Sequence, residues 1–504
     1  MPPAQLNVGP ELNIQLDNIG RPYQAGDVIT GRVVRRSHTV SPRATVTIEF
    51  LGRAKSKIVV TSSNGNTRSN SYYRGRFNFF DAAQTRRQLH DGPIHVPPGG
   101  SPEAWEFAID VPLTPSPQAV LNDAKGPKSS FLSLNPNDVA SYPLPSSFTG
   151  RGRRHSTRFE AYVEYHLEAS LLQQGSHHEK AVTATLPIQL RTPPMPYPLV
   201  NFDLKRRLWP YEVRTYHLVP GMENVELSFK QKSQKFFHSS KVPTLGFTLE
   251  YSCPAVIQLG NLTPIPFLVR IIPERKRTSE VLHDAPVTAR LSYLELVLKA
   301  DTTVIAPGTW GIHTGDGTVK HNIHVPVMLR VLQTTTQGAS NASATEPRGE
   351  DSITQQPLPV GENTTKEETM TEHARQLQSR SGTPASAENS NPGPSSEQPP
   401  TYKASTRQPH TVDGGPLLLP CSWGAEDMPL DIGAAVALRL YPTHATALGC
   451  PIAGTYREPI CPSFTTYCIR HSHRLKWKMI IDIAGETVKL ENEQPITVMG
   501  PSDV

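Results

Sequence analysis

The chain has 504 residues, a length that predicts two to four domains at roughly 150 residues each. Basic residues number 50 and acidic residues 45, so the formal net charge of +5 is too small to indicate dedicated nucleic-acid binding. No apolar run approaches the ~18 residues that a membrane-spanning helix needs, and the N-terminus lacks the basic and apolar regions of a signal peptide. We therefore expect a cytoplasmic protein that is not secreted.

Alternation of apolar and polar residues is the clearest pattern along the chain. A period of two predicts β-strands that bury one face, whereas no segment of comparable quality has the three- and four-residue spacing of a helix. Short strands with one polar face, separated by frequent Pro and Gly, are typical of β-sandwiches. The sequence therefore predicts an all-β fold. In chain order, the alternating segments are 46–50, 105–111, 159–171, 323–331 and 475–483.

Changes in composition divide the chain. Residues 191–198 contain four prolines and predict a stiff connector between two β-sandwich domains. Residues 334–416 are rich in Ser, Thr, Asn, Gln, Glu, Pro and Gly and contain few large apolar side chains, a composition that predicts disorder. The predicted first sandwich is 1–190, and the second is 199–333 together with 417–500, with the disordered segment inserted in it.

Signals for catalysis and for cofactor binding are weak. The sequence contains no Gly-x-Ser-x-Gly, no phosphate-binding loop ending in Gly-Lys-Ser/Thr and no His-Glu-x-x-His. The best metal candidate is Cys461, Cys468, His471 and His473, but strand alternation would send these side chains in different directions. The five cysteines are scattered, which predicts reduced thiols. We expect a non-enzymatic protein without a metal or cofactor.

Several short segments, taken in order, resemble the arrestin superfamily, in particular the fungal α-arrestin-like trafficking adaptors. The resemblance covers about 10–330 and 417–500, and it rests on the joint order of the segments. It implies two tandem arrestin-type, immunoglobulin-like β-sandwiches. The segments that resemble the arrestin N-terminal domain are 23–31, 50–52, 105–107, 144–148 and 162–167, and those that resemble the C-terminal domain are 227–229, 256–260 and 462–469.

A Pro-Pro-x-Tyr motif, formed by Pro399, Pro400 and Tyr402, lies in the predicted disordered segment. Two prolines hold the backbone in an extended left-handed helix, which WW domains bind in an aromatic groove. Arrestin-related adaptors commonly use such a motif to recruit WW-domain HECT-type ubiquitin ligases. A similar segment, 193–197, has its tyrosine one residue too far along, so we interpret it as part of the connector.

Three clusters of basic residues are candidates for contacts with anionic lipid or phosphate. The first contains Arg151, Arg153 and Arg154, with His155 and Arg158 beside them, and the others are 205–207 and 275–277. Clusters of this kind attract anionic membrane surfaces, although solvated surface is the more common role of such residues. We single out Arg151, Arg153 and Arg154 as the candidate site.

The resemblance and the motif together imply a non-catalytic adaptor in endocytosis and protein transport. Such an adaptor binds the cytosolic part of a plasma-membrane transporter or receptor, recruits a HECT-type ligase, and is itself drawn peripherally to the plasma membrane or endosomes. Proximity then accelerates ubiquitination of the cargo. The alternative is an arrestin-like sorting or signalling scaffold, of the ambient-pH or endosomal-sorting type, that acts without direct ligase recruitment.

Overall fold

Strands formed by the alternating segments dominate the fold. A computed structural model describes residues 4–18, 20–65, 67–122, 129–173, 181–193, 195–283, 285–309, 311–327, 416–423, 428–452, 454–455 and 458–502. Strands that pair antiparallel form most of the sheets, which confirms the prediction of an all-β fold. Within the described ranges, no helix is long and apolar enough to cross a membrane.

The first half of the chain forms two antiparallel sheets. One has the order β1-β2-β6; the other has the order β4-β3-β8-β7, with β5 also paired to β3 and β9 to β8. The elements are β1 (Asn13–Leu16), β2 (Val28–Arg35), β3 (Thr39–Asn64), β4 (Thr67–Asn78), α1 (Ala82–Thr85), β5 (Arg86–Val96), β6 (Glu103–Asp110), α2 (Pro117–Asn122), α3 (Pro136–Val139), β7 (Phe148–Arg154), β8 (Thr157–Gln173) and β9 (Val182–Ile188).

The second half forms a four-stranded sheet, β10-β11-β13-β17, and an eight-stranded sheet in which β12-β24-β23-β14-β15-β21 is the main path. Strand β16 pairs with β14, β22 pairs with β23, and β18-β19-β20 form a small separate sheet. The elements are β10 (Leu204–Arg214), α4 (Phe229–Phe236), β11 (Thr244–Pro254), β12 (Val256–Gln258), β13 (Leu268–Pro273), β14 (Ala289–Gly308), β15 (Gly311–Val325), β16 (Leu417–Leu419), β17 (Leu430–Asp431), α5 (Ile432–Ala435), β18 (Arg439–Leu440), β19 (Ala445–Ala447), β20 (Cys450–Pro451), β21 (Gly454–Thr455), β22 (Phe464–Thr465), β23 (Ile469–Ile483) and β24 (Glu486–Met499), with 3₁₀ turns at Tyr216–Leu218, Arg275–Arg277 and Glu280–Leu282.

The buried apolar side chains form two clusters. In the first half, Phe50 and Tyr165 stack with ring centroids 6.0 Å apart. In the second half, Trp477 lies at the centre and packs edge-on against Tyr251 and Phe267. Both clusters belong to one compact unit, formed by Met1–Val331 and Pro409–Val504.

Two segments of the second half cross into the first cluster. Val304–Ala306, near the end of β14, and 467–469, just before and at the start of β23, are buried there. The Ile305 amide donates to the Cys468 carbonyl at 3.1 Å, and the Ser56 hydroxyl donates to the Ile305 carbonyl at 2.6 Å. The proline-rich connector predicts that these residues belong to the second sandwich, and that division stays a prediction.

The two strands that flank the segment carrying the Pro-Pro-x-Tyr motif pair with the same third strand. Strands β15 and β16, on either side of it in sequence, both pair with β14. The Leu417 amide donates to the Val327 carbonyl at 3.3 Å, so the two ends of this insertion meet. Residues 328–415 themselves lie outside the described part of the chain, and their disorder stays a prediction.

Candidate anion-binding surface

One face of the sheet β4-β3-β8-β7 concentrates basic side chains. Side chains on a strand alternate between the two faces, and directly paired residues on neighbouring strands share a face. The observed register therefore places the basic residues of four strands side by side; we call this surface the basic face. Its cations are Arg53, Lys55, Lys57, Arg68, Arg74, Arg76, Arg151, Arg153 and Arg158, and its carboxylates in the same rows are Glu160 and Glu164.

Arg153 and Arg158 lie directly opposite each other in the β7–β8 hairpin. The turn between the strands contains His155 in a left-handed backbone conformation, with φ of 52°. Both arginines are exposed, and the other direct neighbour of Arg158 is Val59 of β3. Like charges directly opposite each other are destabilising, so an anion bound between the two guanidinium groups would remove a repulsion.

Arg151 lies one row further along β7, opposite Glu160. The Glu160 carboxylate is shared, because Lys57 forms an ion pair with it at 3.4 Å and the Tyr162 hydroxyl donates to it at 3.3 Å. Burial and the Glu160 charge together raise the pKa of Tyr162, so its hydroxyl stays protonated. Arg151 is thus paired across the strands with a carboxylate that also contacts Lys57 and the Tyr162 hydroxyl.

Arg154 lies on the opposite side of β7 from Arg151 and Arg153. Its guanidinium forms an ion pair at 2.6 Å with Asp316 of β15, and both side chains are exposed. Gly152, on the same side, lies next to Gly317 of β15, so β7 and β15 approach closely. The structure therefore brings together Arg151 and Arg153 of the predicted triad and separates Arg154 from them.

A buried ion-pair network supports the centre of the basic face. Lys55 and Glu164 are almost fully buried and pair at 2.6 Å, and Arg53 pairs with the same carboxylate. Burial alone would raise the pKa of Glu164, but hydrogen bonds from Lys55 and Arg53 hold it below its ordinary value. The Ala4 amide also donates to this carboxylate, at 2.9 Å. The N-terminal segment thus covers part of β8, which is buried on both faces there rather than half-buried as its alternation predicts.

In the other two predicted basic clusters, acids pair with three of the six cations. Arg206 forms an ion pair with the buried Glu250 at 2.8 Å, and Lys205 pairs with Asp203, also at 2.8 Å. Arg277 is held by Glu274 and by the Tyr211 carbonyl. Neither cluster places two exposed cations directly opposite each other across a strand pair. The hairpin pair Arg153 and Arg158 is therefore the stronger candidate for binding an anion.

Of the predicted metal candidate, Cys468, His471 and His473 are buried near the start of β23, and Cys461 is half-buried. His471 shares a hydrogen bond of 2.9 Å with Thr302, and His473 shares one of 2.8 Å with Ser463, so each ring already has a hydroxyl partner. Burial raises the pKa values of Cys461 and Cys468 to about 12. In the part of the chain that the structure describes, no group of three or more His, Cys, Asp or Glu residues is arranged to hold a metal ion.

Sequence reasoning missed the members of the basic face on β3 and β4. Lys55 with Lys57, and Arg74 with Arg76, have the i, i+2 spacing that puts side chains on one face of a strand. Only the pairing of β3 with β8 brings them next to the predicted arginines. Pro399, Pro400 and Tyr402 lie outside the described residues.

Comparison with known proteins finds no family model and no curated protein that matches the chain. The resemblance to arrestins therefore stays a prediction from the sequence.

Proposed function

We propose that the protein is a non-catalytic adaptor that links a membrane cargo, a transporter or receptor, to a WW-domain HECT-type ubiquitin ligase. The ligase would then ubiquitinate the cargo and promote its endocytosis. The observation that carries this proposal is the sequence formed by Pro399, Pro400, Thr401 and Tyr402. The prolines favour the extended conformation that WW domains bind, so little backbone entropy is lost on binding.

The described strands on either side of the segment that carries the motif support the proposal. The insertion leaves the second-half sheet after Val327 and returns at Leu417, where the two ends share a hydrogen bond. Tyr402 precedes Leu417 by 15 residues, and a fully extended chain of that length spans at most about 50 Å. A ligase bound at the motif would therefore stay within that distance of the β-sheet scaffold, which raises its local concentration at a bound cargo.

The basic face supplies a second contact in this proposal. Arg153 and Arg158 lie directly opposite each other across the β7–β8 hairpin, a position that disfavours two like charges, and a phosphorylated segment of a cargo protein would neutralise both. Phosphate groups form strong, charge-assisted hydrogen bonds with arginine. The motif would thus bind the ligase while the basic face binds the cargo.

Calorimetry with isolated WW domains of a HECT-type ligase tests whether the Pro-Pro-x-Tyr motif binds the ligase. We expect the full chain to bind with a Kd in the micromolar range and the Tyr402→Ala variant to lose this binding. Tyr197→Ala is the matched control, because Tyr197 follows the similar proline-rich segment and its side chain is 78% exposed. The control should bind like the parent.

Ubiquitination of a co-reconstituted cargo distinguishes the adaptor from the alternative sorting scaffold. An adaptor should lose ubiquitin transfer in the Tyr402→Ala variant. Equal binding by the parent and the Tyr402→Ala variant, or no binding by either, would rule out the motif as the ligase site. Such a result would favour a scaffold that acts without direct ligase recruitment.

A further inference from the structure

Helix α4 has its polar side toward the protein and its aromatic side toward solvent. It is anchored by polar contacts: the Tyr216 hydroxyl donates to the Gln234 side chain at 2.6 Å, and Lys235 forms an ion pair with Glu486. Ser228 caps its N-terminus and forms a capping box with Gln231. A helix on a globular surface normally packs its apolar side inward, so this arrangement is reversed.

Three phenylalanines are exposed on this element. Phe229 is 88% exposed, Phe236 is 77% exposed and Phe237, which follows the helix, is 75% exposed. Phe229 and Phe236 are seven residues apart, or about two helical turns, and therefore lie on the same side of α4. Val225, on the preceding turn, is also exposed, and with Phe236 it lines an open groove of about 740 Å³. Contiguous exposed apolar surface of this kind marks an interaction site.

The charge on α4 and its C-terminal flank is positive, and two acids of the preceding loop, Glu223 and Glu226, also line the groove. Residues 228–242 contain four lysines and no acidic residue. Lys232 pairs with Glu226 at 2.9 Å and Lys235 pairs with Glu486. Lys230 and Lys241 are exposed, and among the described residues neither forms an ion pair with a neighbour. Lys230 projects about 100° from Phe229 around the helix, so its ammonium group flanks the aromatic side rather than opposing it.

We infer that the surface formed by α4 and its C-terminal flank docks on an anionic lipid bilayer. Phenylalanine rings partition into the boundary between headgroups and acyl chains, and flanking lysines bind the headgroup phosphates. The long lysine side chains can lie along the apolar surface while their charges stay in water. Positive charge on the flanks of the aromatic side matches an anionic surface and disfavours a purely apolar partner. This inference does not depend on the proposed ligase motif.

Vesicle flotation of the full chain tests the inference. The probe is a set of phosphatidylcholine vesicles with and without phosphatidylserine. We expect the parent to bind the phosphatidylserine vesicles and the triple variant Phe229→Ser, Phe236→Ser, Phe237→Ser to bind at least about tenfold more weakly. The variant Lys230→Glu, Lys241→Glu should lose the preference for phosphatidylserine.

The matched control replaces three other exposed apolar side chains by serine: Val40→Ser, Leu113→Ser and Val200→Ser. These are 66%, 69% and 68% exposed, so the control removes exposed apolar surface elsewhere and should float like the parent. Equal flotation of the parent and the phenylalanine variant would overturn the inference, as would absence of binding by the parent. The remaining alternative is that a second copy of the chain binds this surface, and light scattering tests it by measuring the oligomeric state. A parent dimer that becomes a monomer in the phenylalanine variant, with vesicle binding unchanged, would assign the surface to a second copy of the chain.

Discussion

Tyr467 stacks on Phe77 with ring centroids 5.1 Å apart, and this contact joins two segments almost 400 residues apart in sequence. Tyr467 is 1% exposed, and its carbonyl accepts a hydrogen bond from the Phe131 amide at 2.9 Å. It belongs to the first apolar cluster although it immediately precedes β23 of the second-half sheet. The first cluster is therefore complete only when the C-terminal part of the chain has been added.

Replacing Tyr467 by Ala should destabilise the protein by about 3–5 kcal/mol, because the removed ring leaves a cavity in the first cluster. Tyr467→Phe should be neutral or stabilising. The Tyr467 hydroxyl is buried and has no hydrogen-bond partner among the described residues, and burying a hydroxyl in that state costs about 1–3 kcal/mol. Urea denaturation of both variants gives the comparison, and equal destabilisation by Phe and Ala would contradict this account.

Parts of three long strands could be predicted from the sequence, whereas β14, with 20 residues, was not among the predicted segments. The segments 159–171 and 475–483 lie within β8 and β23, and 46–50 lies within β3. Their alternation is strong because one face of each strand packs into an apolar cluster. The polar segment 62–71 lies mostly in the β3–β4 hairpin. Its strands are held by pairing rather than by burial, so they carry no apolar pattern.

The candidate site could be predicted only within one strand. Alternation alone places Arg151 and Arg153 on one side of β7 and Arg154 on the other. The participation of Lys57 and Arg74 depends on the register between strands that are far apart in sequence. Likewise, nothing in the order of residues indicates that Val304–Ala306 and 467–469 pack into the first cluster, because apolar residues of either half would fit the same pattern.

Gly152→Ala should destabilise the contact between β7 and β15 by about 1–3 kcal/mol. A Cβ atom at Gly152 would lie 2.4 Å from Cε1 of Phe159 and 3.1 Å from the Gly317 Cα atom, so the Phe159 ring would have to shift and β15 would have to move away by a few tenths of an ångström. Gly9→Ala is the control, because a Cβ atom there meets no atom within 4 Å. Thermal unfolding should show a lower Tm for Gly152→Ala only, whereas equal Tm values would contradict the close approach.

Stability should fall as the pH is lowered from about 6.5 toward 4, because of buried histidines. Burial lowers the pKa of His471 to about 4 and that of His473 to about 3, the latter with a contribution from the His471 charge. In the unfolded chain both rings bind protons near pH 6.5, so below that pH protons favour the unfolded state. Each histidine should cost about 1.4 kcal/mol per pH unit in this window.

His473→Gln tests this pH dependence in urea denaturation at about pH 7 and about pH 5. The substitution removes one titrating ring. Between the two pH values, the free energy of unfolding should therefore fall by about 2 kcal/mol less in the variant than in the parent. A loss of packing would lower the free energy of unfolding equally at the two pH values, so the difference between them would stay the same as in the parent. Carboxylates such as Glu164, with a lowered pKa, contribute mainly below their ordinary value of about 4.3. An unchanged difference in the variant would show that His473 does not titrate as its burial requires.

Arg158→Gln should stabilise the protein at low salt and weaken its binding of phosphorylated peptides. The substitution removes the repulsion with Arg153, a gain of about 0.2–1 kcal/mol that should vanish at high ionic strength. Arg207→Gln is the control, an exposed arginine of another basic cluster that should change neither property. Urea denaturation at low and high salt, with fluorescence anisotropy of a labelled phosphopeptide, measures both effects. Destabilisation by Arg158→Gln at low salt would mean that Arg158 stabilises the fold through a contact with another group and is not available to bind an anion.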